Sequence, residues 1–285
     1  MPYLLIVSFV WAFSFGLIKG RLAGLDSAFI SAVRLGLALL VFLPFLRVRR
    51  LTPRSALVFM GIGAMQFGLM YLAYNESFRR LQAHEVALFT LTTPILVTLL
   101  ADALDRQFRL RAMAAALIAV VGTGLLVFQN KELRPTLLGL ALVQLSNLAF
   151  ALGQVWYKRF RAQQPALGDR DIFALLYAGA FALTLPLALV RVDFATFTLA
   201  PSQILTLLYL GGLASGLGFF LWNVGATRVN AGTLAVMNNA KVPLAVACSL
   251  IFFGEAADLP RLLISLGLLA AAVWLAEKRV KTSSD

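Results

Sequence analysis

The stretch VNAGTLAVMNNAKVPLAVACSLIFFGE, residues 229–255, decides the fold of this chain. Its central part, 232–253, is long and apolar enough to cross the roughly 30 Å hydrocarbon core of a membrane as one helix. Lys241 lies near its middle, with two asparagines before it and Pro243 after it. A cation at that depth costs about 2.5 kcal/mol or more when it faces lipid. The stretch therefore predicts a transmembrane helix whose polar side faces a protein interior or a water-filled cavity.

The rest of the chain has a similar composition. Of its 285 residues, 60% are hydrophobic and 13% are charged, and the charges gather in short clusters between long apolar runs. A soluble domain has an apolar share of only roughly half, so we predict an all-α integral membrane protein. Windows of about 20 apolar residues predict ten transmembrane helices, at 2–18, 27–46, 56–78, 84–101, 110–128, 136–156, 172–189, 204–225, 232–253 and 260–276.

The charge and the rare residue types exclude several classes of partner. A net charge of +12 raises the question of nucleic acid, because a basic patch is the usual footprint of that partner. Lys and Arg also collect in the cytoplasmic loops of membrane proteins, and on that interpretation no nucleic-acid partner is expected. Cys248 is the single cysteine and His84 the single histidine, so we expect neither a disulfide nor a Cys/His metal site. We expect no cofactor and no metal.

The distribution of basic residues predicts the orientation in the membrane. With the N-terminus placed inside, 15 of the 25 Lys and Arg residues lie in cytoplasmic loops and the C-terminal tail, and eight lie on the other side. The remaining two, Arg34 and Lys241, fall within predicted helices. Because cytoplasmic loops carry the excess of Lys and Arg, both termini are predicted to be cytoplasmic.

The chain carries an internal repeat. At an offset of 148 residues, 63–88 align with 211–236 with seven identities, which include Asn75 with Asn223. A weaker match at an offset of 137 joins the first predicted helix to the sixth. Shared membrane composition is the alternative explanation of these matches.

The repeat divides the chain into two halves of five helices, 1–134 and 135–285. A repeat with an odd number of spans inserts its two copies in opposite orientations, so these halves are predicted to be inverted relative to each other. Inverted repeats are typical of secondary transporters, in which the binding site lies between the halves near the midplane of the membrane.

Two cations within predicted helices are the first candidates for a binding site. Arg34 and Lys241 each lie within roughly 5 Å of the midplane, given the 1.5 Å rise of a helix. A charge at that depth normally faces the interior of a helix bundle or an aqueous cavity. For Arg34 a structural bond to a backbone carbonyl or to Glu76 is the alternative. Glu76 is also an alternative site for proton coupling, although its place near a helix end favours a surface carboxylate.

Polar side chains near these cations could complete a site. Asn238 lies three residues before Lys241 and therefore on the same helix face, and the repeat places Thr90 and Thr93 opposite this pair. The candidates for binding a substrate by hydrogen bonds are Asn238, Asn239, Thr90, Thr93, Gln144 and Asn147.

Two prolines and three aromatic residues complete the list of candidates. Pro94 and Pro243 follow these polar positions, and each would free a backbone carbonyl and bend its helix, so we interpret both as hinges. Packing alone is the alternative reason for such kinks. Trp11, Tyr74 and Trp222 are candidates for stacking on a substrate, although aromatic residues near helix ends also serve as interfacial anchors.

No motif for catalysis occurs in the sequence. We find no GxxxxGK phosphate loop, no HExxH pair and no GxSxG nucleophile elbow. The protein is therefore not expected to be an enzyme.

Two segments of the sequence resemble a known family. The segment Trp-Ala-Phe-Ser at 11–14 and the stretch 229–255, which closes on Phe-Gly-Glu255, are similar to the EamA-type family of the drug/metabolite transporter superfamily. The resemblance extends over essentially the whole chain, although the ending at Asp105 departs from the usual Gly-Glu. It implies an inner-membrane carrier, often an exporter of amino acids or related metabolites, with a central cavity between helices 1 to 4 and 6 to 9.

We therefore expect a secondary transporter in the bacterial inner membrane that exports a small metabolite by alternating access. Amino acids, including aromatic and other neutral ones, are the first expected substrates, with Lys241 and Arg34 countering the carboxylate. The alternatives are an exporter of drugs or other organic solutes, an intramembrane enzyme, and a membrane sensor or scaffold. The expected partners are the solute and membrane lipid. Substrate identity, direction, coupling ion and oligomeric state stay open.

Overall fold

The structure is a computed structural model. It describes residues 1–22, 24–47, 51–128, 133–193, 197–253 and 258–278, without the side chains of 13–20, 83, 249, 252 and 253. These residues are helical or in turns and loops, and no strand occurs among them. The α-helices are α1 (Pro2–Arg21), α2 (Ser27–Phe42), α3 (Pro53–Gly63), α4 (Met70–Ser77), α5 (Ala83–Thr90), α6 (Thr93–Asp105), α7 (Leu110–Val127), α8 (Leu137–Ala162), α9 (Asp169–Arg191), α10 (Pro201–Leu208), α11 (Gly218–Thr227), α12 (Ala231–Phe253) and α13 (Leu259–Glu277).

Most of these helices are membrane spans by length and composition. Within the described residues, eight helical segments are long and apolar enough to cross a membrane, among them the composite segments Pro53–Ser77, His84–Asp105 and Pro201–Thr227. Helices α1 and α12 occupy the predicted spans 2–18 and 232–253, and each contains side chains outside the described set. The chain is therefore an all-helical, multi-pass membrane protein.

Several helices extend beyond their predicted ends. Helix α8 continues to Ala162, where the prediction ended at 156, and α9 begins at Asp169 rather than at 172. The prediction ended each span at its first charged residues. A helix can continue through such residues at the membrane surface, because the long side chains of Lys and Arg reach back toward water.

Two of the composite spans contain a π-helical stretch. Ala64–Leu69 joins α3 to α4, and Tyr209–Leu217 joins α10 to α11. The offset of 148 residues places the first stretch within the second. Single π-turns inside α-helices are rare, and those that occur are often at functional sites. The hydropathy pattern did not predict them.

Glycines allow the two halves of the chain to approach closely. A Cβ atom at Gly63 of α3 would lie 1.9 Å from the carbonyl oxygen of Leu176 in α9, and one at Gly179 of α9 would lie 2.0 Å from the carbonyl oxygen of Met60 in α3. Any larger residue would push the helices apart, as in other small-residue contacts between membrane helices. This crossing holds α3 and its π-helical stretch against α9.

Candidate functional site

A cavity lies between helices from both halves of the chain. It contains about 710 Å³ of empty space, counting the part that is open to solvent. Helices α1, α2, α4, α5, α6, α8, α11 and α12 contribute its lining, which consists of Trp11, Arg34, Met70, Tyr71, Tyr74, Thr90, Thr93, Ser146, Asn147, Phe150, Phe219 and Lys241.

The cavity extends toward one end of the bundle. Tyr74 lies on the last turn of α4, near the end of the span Pro53–Ser77. Toward the opposite end, fully buried aromatic side chains fill the interior, with the ring of Phe59 6.4 Å and the ring of Phe173 5.8 Å from that of Tyr157. Aromatic packing therefore occupies the interior of the bundle around Tyr157.

Arg34 is buried and is held by neutral groups. Its Nε donates a hydrogen bond to Ser215 Oγ at 3.0 Å, and its Nη2 donates to the hydroxyl of Tyr71 at 2.5 Å. Its guanidinium carbon lies 4.4 Å from the centre of the Tyr71 ring. Among the described residues no carboxylate pairs with Arg34, and Glu76 instead pairs with arginines at a helix end. The alternative bond to Glu76 is therefore wrong, and the charge of Arg34 has no negative counterpart in the described lining.

Lys241 points to the same cavity from the middle of α12. Its Nζ lies 5.6 Å from the centre of the Trp11 ring, which is a cation–π contact. The indole N–H of Trp11 donates to the carbonyl of Ala214 at 2.9 Å and so fixes the ring. Lys241 forms no hydrogen bond or ion pair with any residue that the structure describes, so its amino group can receive a ligand.

The described carboxylates lie away from this cavity. Asp102 binds Arg109 at 2.9 Å, and Asp105 binds both Arg109 and Arg159, all at the end of α6. Within the described part of the chain, no cluster of three or more His, Cys, Asp or Glu residues could hold a metal ion. The described lining thus combines two cationic side chains with no acidic one, which favours an anionic ligand.

Side chains form hydrogen bonds with the backbone at the break between α5 and α6. Pro94 has no N–H, and the chain leaves the helix at Leu91 and Thr92. The carbonyl of Phe89 accepts hydrogen bonds from Asn147 Nδ2 at 2.9 Å and Gln144 Nε2 at 3.2 Å. These two amides, both on α8, therefore fix the broken helix beside the cavity.

A layer of buried amides lies next to the cavity. The side chains of Gln154 and Asn238 exchange two hydrogen bonds of 3.3 Å, and the indole N–H of Trp222 donates to Gln154 Oε1 at 3.0 Å. Gln66 Nε2 also donates a hydrogen bond of 3.1 Å to Asn223 Oδ1. Buried polar networks of this kind specify one packing arrangement when their bonds are made.

A family model matches the chain in two places. The EamA-like transporter family covers residues 1–128 and again 137–276, which together form most of the sequence. This chain belongs to the EamA-like transporter family. The resemblance read from the sequence is confirmed.

Named relatives of this EamA family member are similar over nearly their full length. A protein named probable biotin transporter from Pseudomonas aeruginosa is 43% identical over 277 residues, which are 96% of each chain. Proteins named biotin transporter from Salmonella typhimurium and Escherichia coli K12 are each 37% identical, over 100% of this chain and 95% of theirs. A solved crystal structure with 17% identity has a TM-score of 0.80 and covers 97% of this chain and 96% of its own, which shows a shared fold.

The residues predicted to bind substrate fall into two groups in the structure. Seven line the cavity: Trp11, Arg34, Tyr74, Thr90, Thr93, Asn147 and Lys241. The others, Gln144, Asn238, Asn239 and Trp222, lie outside its lining and bond to protein groups. Pro94 lies at a break in the helix, whereas Pro243 lies inside the continuous α12. Their parts in binding and in hinge motion stay predictions, and Glu255 lies outside the described residues.

Sequence reasoning missed the groups that hold Arg34. Tyr71 and Ser215 both bond to its guanidinium, and their oxygens lie 3.0 Å apart. It also missed Phe219, which lines the cavity and is the repeat equivalent of Tyr71. That equivalence was a usable signal, because the repeat offset of 148 residues places an aromatic residue at the same position in both copies.

Proposed function

We propose that this EamA family member carries a small organic anion across the bacterial cytoplasmic membrane by alternating access, and that biotin is its first candidate substrate. The observation that carries the proposal is the pair of cavity cations, Arg34 and Lys241, without an acidic residue in the described lining. A solute carboxylate supplies the negative charge that would stabilise the buried Arg34 and the half-buried Lys241 in the membrane interior.

The remaining lining suits an apolar body attached to that carboxylate. The Trp11 ring lies 5.4 Å from that of Phe219 and 6.2 Å from that of Phe150, which gives the cavity an aromatic wall. Ser146 and Thr90 offer hydroxyl groups elsewhere in the lining. Biotin combines a carboxylate, an aliphatic chain and a polar ring, so it can use all three kinds of surface.

The relatives and the charges both favour biotin over an amino acid. Relatives that are 37% and 43% identical over nearly the whole chain bear the name biotin transporter. An amino acid would bring an ammonium group into a cavity that already has two cations and no described acidic side chain to receive it. Placing like charges together in a buried site is costly. Biotin therefore replaces amino acids as the substrate we propose, and the charges of the cavity favour neither export nor uptake.

We further propose ten transmembrane helices in two inverted halves, 1–134 and 135–285, with both termini in the cytoplasm. The family model matches once in each half, and π-helical stretches occur at equivalent places. The packing of α3 on α9 has its equivalent in the packing of the second π-helical stretch on α2. These features support a cavity that either half can open to its own side.

The proposal is tested by transport in proteoliposomes. Proteoliposomes that contain the purified protein and are loaded with unlabelled biotin are expected to exchange it for external labelled biotin. Biotinamide, which lacks the carboxylate, is expected to compete at least about tenfold more weakly, since a charged hydrogen bond contributes about 1.5–3 kcal/mol. Lys241→Gln should lower the exchange strongly. Lys278→Gln is the matched control, because Lys278 also lies over a tryptophan ring, Trp274, but at the surface end of α13. Folded wild-type protein that exchanges no biotin would refute biotin as the substrate.

A further inference from the structure

We propose that Lys241 binds a proton together with the substrate carboxylate, so that the carrier is a proton–carboxylate symporter. The inference rests on the proposed function, because it requires an anionic substrate. It adds a second transported species and sets the direction: a cell whose exterior is more acidic than its cytoplasm would accumulate the substrate.

Lys241 is half-buried, and an aromatic face is the one favourable contact that the described residues offer its ammonium group. Its Nζ contacts the face of Trp11 and forms no hydrogen bond or ion pair within the described residues. A cation–π contact contributes only about 0.5–2 kcal/mol, which is less than the cost of removing an ammonium group from water without a hydrogen-bonding partner, and such a group reduces that cost by becoming neutral. A lysine amine can do so by releasing its proton, and its apolar stem then fits the aromatic wall.

Arg34 increases the cost of a second charge in the empty cavity. Its guanidinium stays protonated in proteins, and it lines the same cavity. Two cations in a site of low dielectric repel each other. Tyr71 and Tyr74 on α4 are the other titratable groups in the described lining, and neither hydroxyl carries a negative charge that would hold a proton on Lys241 in the absence of substrate.

The helices packed against α12 offer no counter-ion either. These are α1, α6, α7 and α13, and the side chain of Lys19 on α1 lies outside the described set. Asp102 and Asp105 are bound to Arg109, and Glu277 accepts a hydrogen bond from Thr233. Each described titratable side chain on these four helices lies near a helix end, and none lines the cavity: Tyr3, Arg21, Asp102, Asp105, Arg111, Arg261 and Glu277.

The cycle balances in protons and in charge. In the empty carrier the amine of Lys241 is neutral. A carboxylate and a proton enter from one side, the proton binds to the amine, and the resulting ammonium pairs with the carboxylate. After the cavity opens to the other side the carboxylate leaves, and the ammonium, again without a partner, releases its proton to water there. Each cycle moves one proton and one carboxylate in the same direction, with no net charge.

Wild-type proteoliposomes test the coupling directly. A tenfold proton gradient, acidic outside, is expected to accumulate labelled biotin about tenfold inside, because one-to-one coupling equates the two gradients. A membrane potential set with potassium and valinomycin is expected to change the accumulation little, since no net charge moves. Protein-free liposomes correct for diffusion of the protonated acid, a minor species near neutral pH because carboxyl groups ionise at about pH 4.

The outcomes separate this inference from the proposed function. Biotin exchange together with accumulation that follows the potential and ignores the proton gradient would overturn the coupling and leave the carrier in place. Absence of any biotin exchange would instead refute the proposed substrate. Exchange that cannot be driven by either gradient would overturn the coupling as well.

Chemical labelling assigns the proton to Lys241. A small isothiocyanate reacts only with neutral amines, so the labelling of a free lysine derivative added to the same solution rises about tenfold per pH unit between about pH 7 and pH 9. Labelling of Lys241, read by mass spectrometry of the protein, is expected to rise less over this range and to be suppressed by biotin. Identical pH profiles for Lys241 and the free lysine derivative would overturn the assignment. In Lys241→Arg, whose charge is permanent, the ratio of proton-driven accumulation to exchange should fall at least about fivefold, and an unchanged ratio would contradict the proposal.

Discussion

The side-chain amide of Asn239 donates a hydrogen bond of 3.1 Å to the backbone carbonyl of Leu91, and the two residues are 148 positions apart in the chain. That separation equals the offset of the sequence repeat, so each residue is the repeat equivalent of the other. The break after α5 and the centre of α12 therefore meet through equivalent positions of the two segments that the family model matches.

Replacing Asn239 by Leu is expected to lower the free energy of unfolding by about 1–3 kcal/mol, because the buried Leu91 carbonyl loses its hydrogen-bond partner. The Thr123 hydroxyl, 3.1 Å from the same amide, loses one as well. Thermal unfolding in detergent measures the change. Gln163→Ala removes an exposed amide at the end of α8 and serves as the control with no expected effect. Equal melting temperatures for Asn239→Leu and wild type would contradict the assigned role.

Tyr71→Phe should weaken carboxylate recognition more than it weakens the fold. Its hydroxyl accepts from Arg34 at 2.5 Å and contacts Ser215 at 3.0 Å, so its loss lets the guanidinium move. We expect KM for biotin to rise about tenfold, equivalent to about 1.4 kcal/mol, while the weak competition by biotinamide changes little. Tyr209→Phe, half-buried and outside the described cavity lining, is the matched control. An equal rise for both ligands would show a purely structural role.

The two acids at the end of α6 are expected to differ in importance. Asp102 is buried and accepts from the backbone N–H and Nη1 of Arg109, each at 2.9 Å, whereas Asp105 is about a third exposed. Asp102→Asn should therefore destabilise the protein by about 1.5–3 kcal/mol, and Asp105→Asn by less than about 1 kcal/mol. Unfolding at low and high salt measures both effects. Salt should abolish only the second, and the reverse ranking would count against this interpretation.

Gly153→Ala should separate α8 from the first π-helical stretch. A Cβ at this position would lie 2.2 Å from the Cβ of Gln66, an atom that cannot move without its backbone. Overpacking of this kind typically costs about 1–3 kcal/mol. At Gly124 nothing lies within 4 Å of such a Cβ, so Gly124→Ala is expected to be neutral or to stabilise by up to about 1 kcal/mol. The two melting temperatures, measured side by side, decide whether the close approach matters.

The sequence was sufficient to predict the membrane class and the cations of the cavity. Hydropathy depends on single side chains, so the apolar runs located the spans within a few residues, and the cost of a charge in lipid pointed to Arg34 and Lys241. It could not predict which neighbouring polar groups face the cavity. Asn238 and Lys241 are three residues apart on α12, yet Asn238 bonds to Gln154 while Lys241 lines the cavity.

The groups that organise the site escaped prediction because they depend on contacts across the chain. Arg34 and Ser215 are 181 positions apart, and Asn147 reaches a carbonyl 58 positions away. Helical periodicity carries no information about such pairs. The hydropathy pattern does not reveal the π-helical stretches either, since an extra residue in a turn changes the backbone hydrogen bonds and leaves the composition unchanged.

The break at Leu91 and Thr92 also bears on how the protein is made. The ribosome delivers α5 and α6 to the membrane before α12 exists. At that moment the Phe89 carbonyl can already accept from the Thr92 hydroxyl, 3.0 Å away, whereas the Leu91 carbonyl lacks the amide that later binds it. A free carbonyl in hydrocarbon costs several kcal/mol. The newly inserted segment must therefore keep water or another polar group at the Leu91 carbonyl until Asn239 arrives. Biogenesis of the N-terminal half thus ends only when residue 239, far into the C-terminal half, has entered the bilayer.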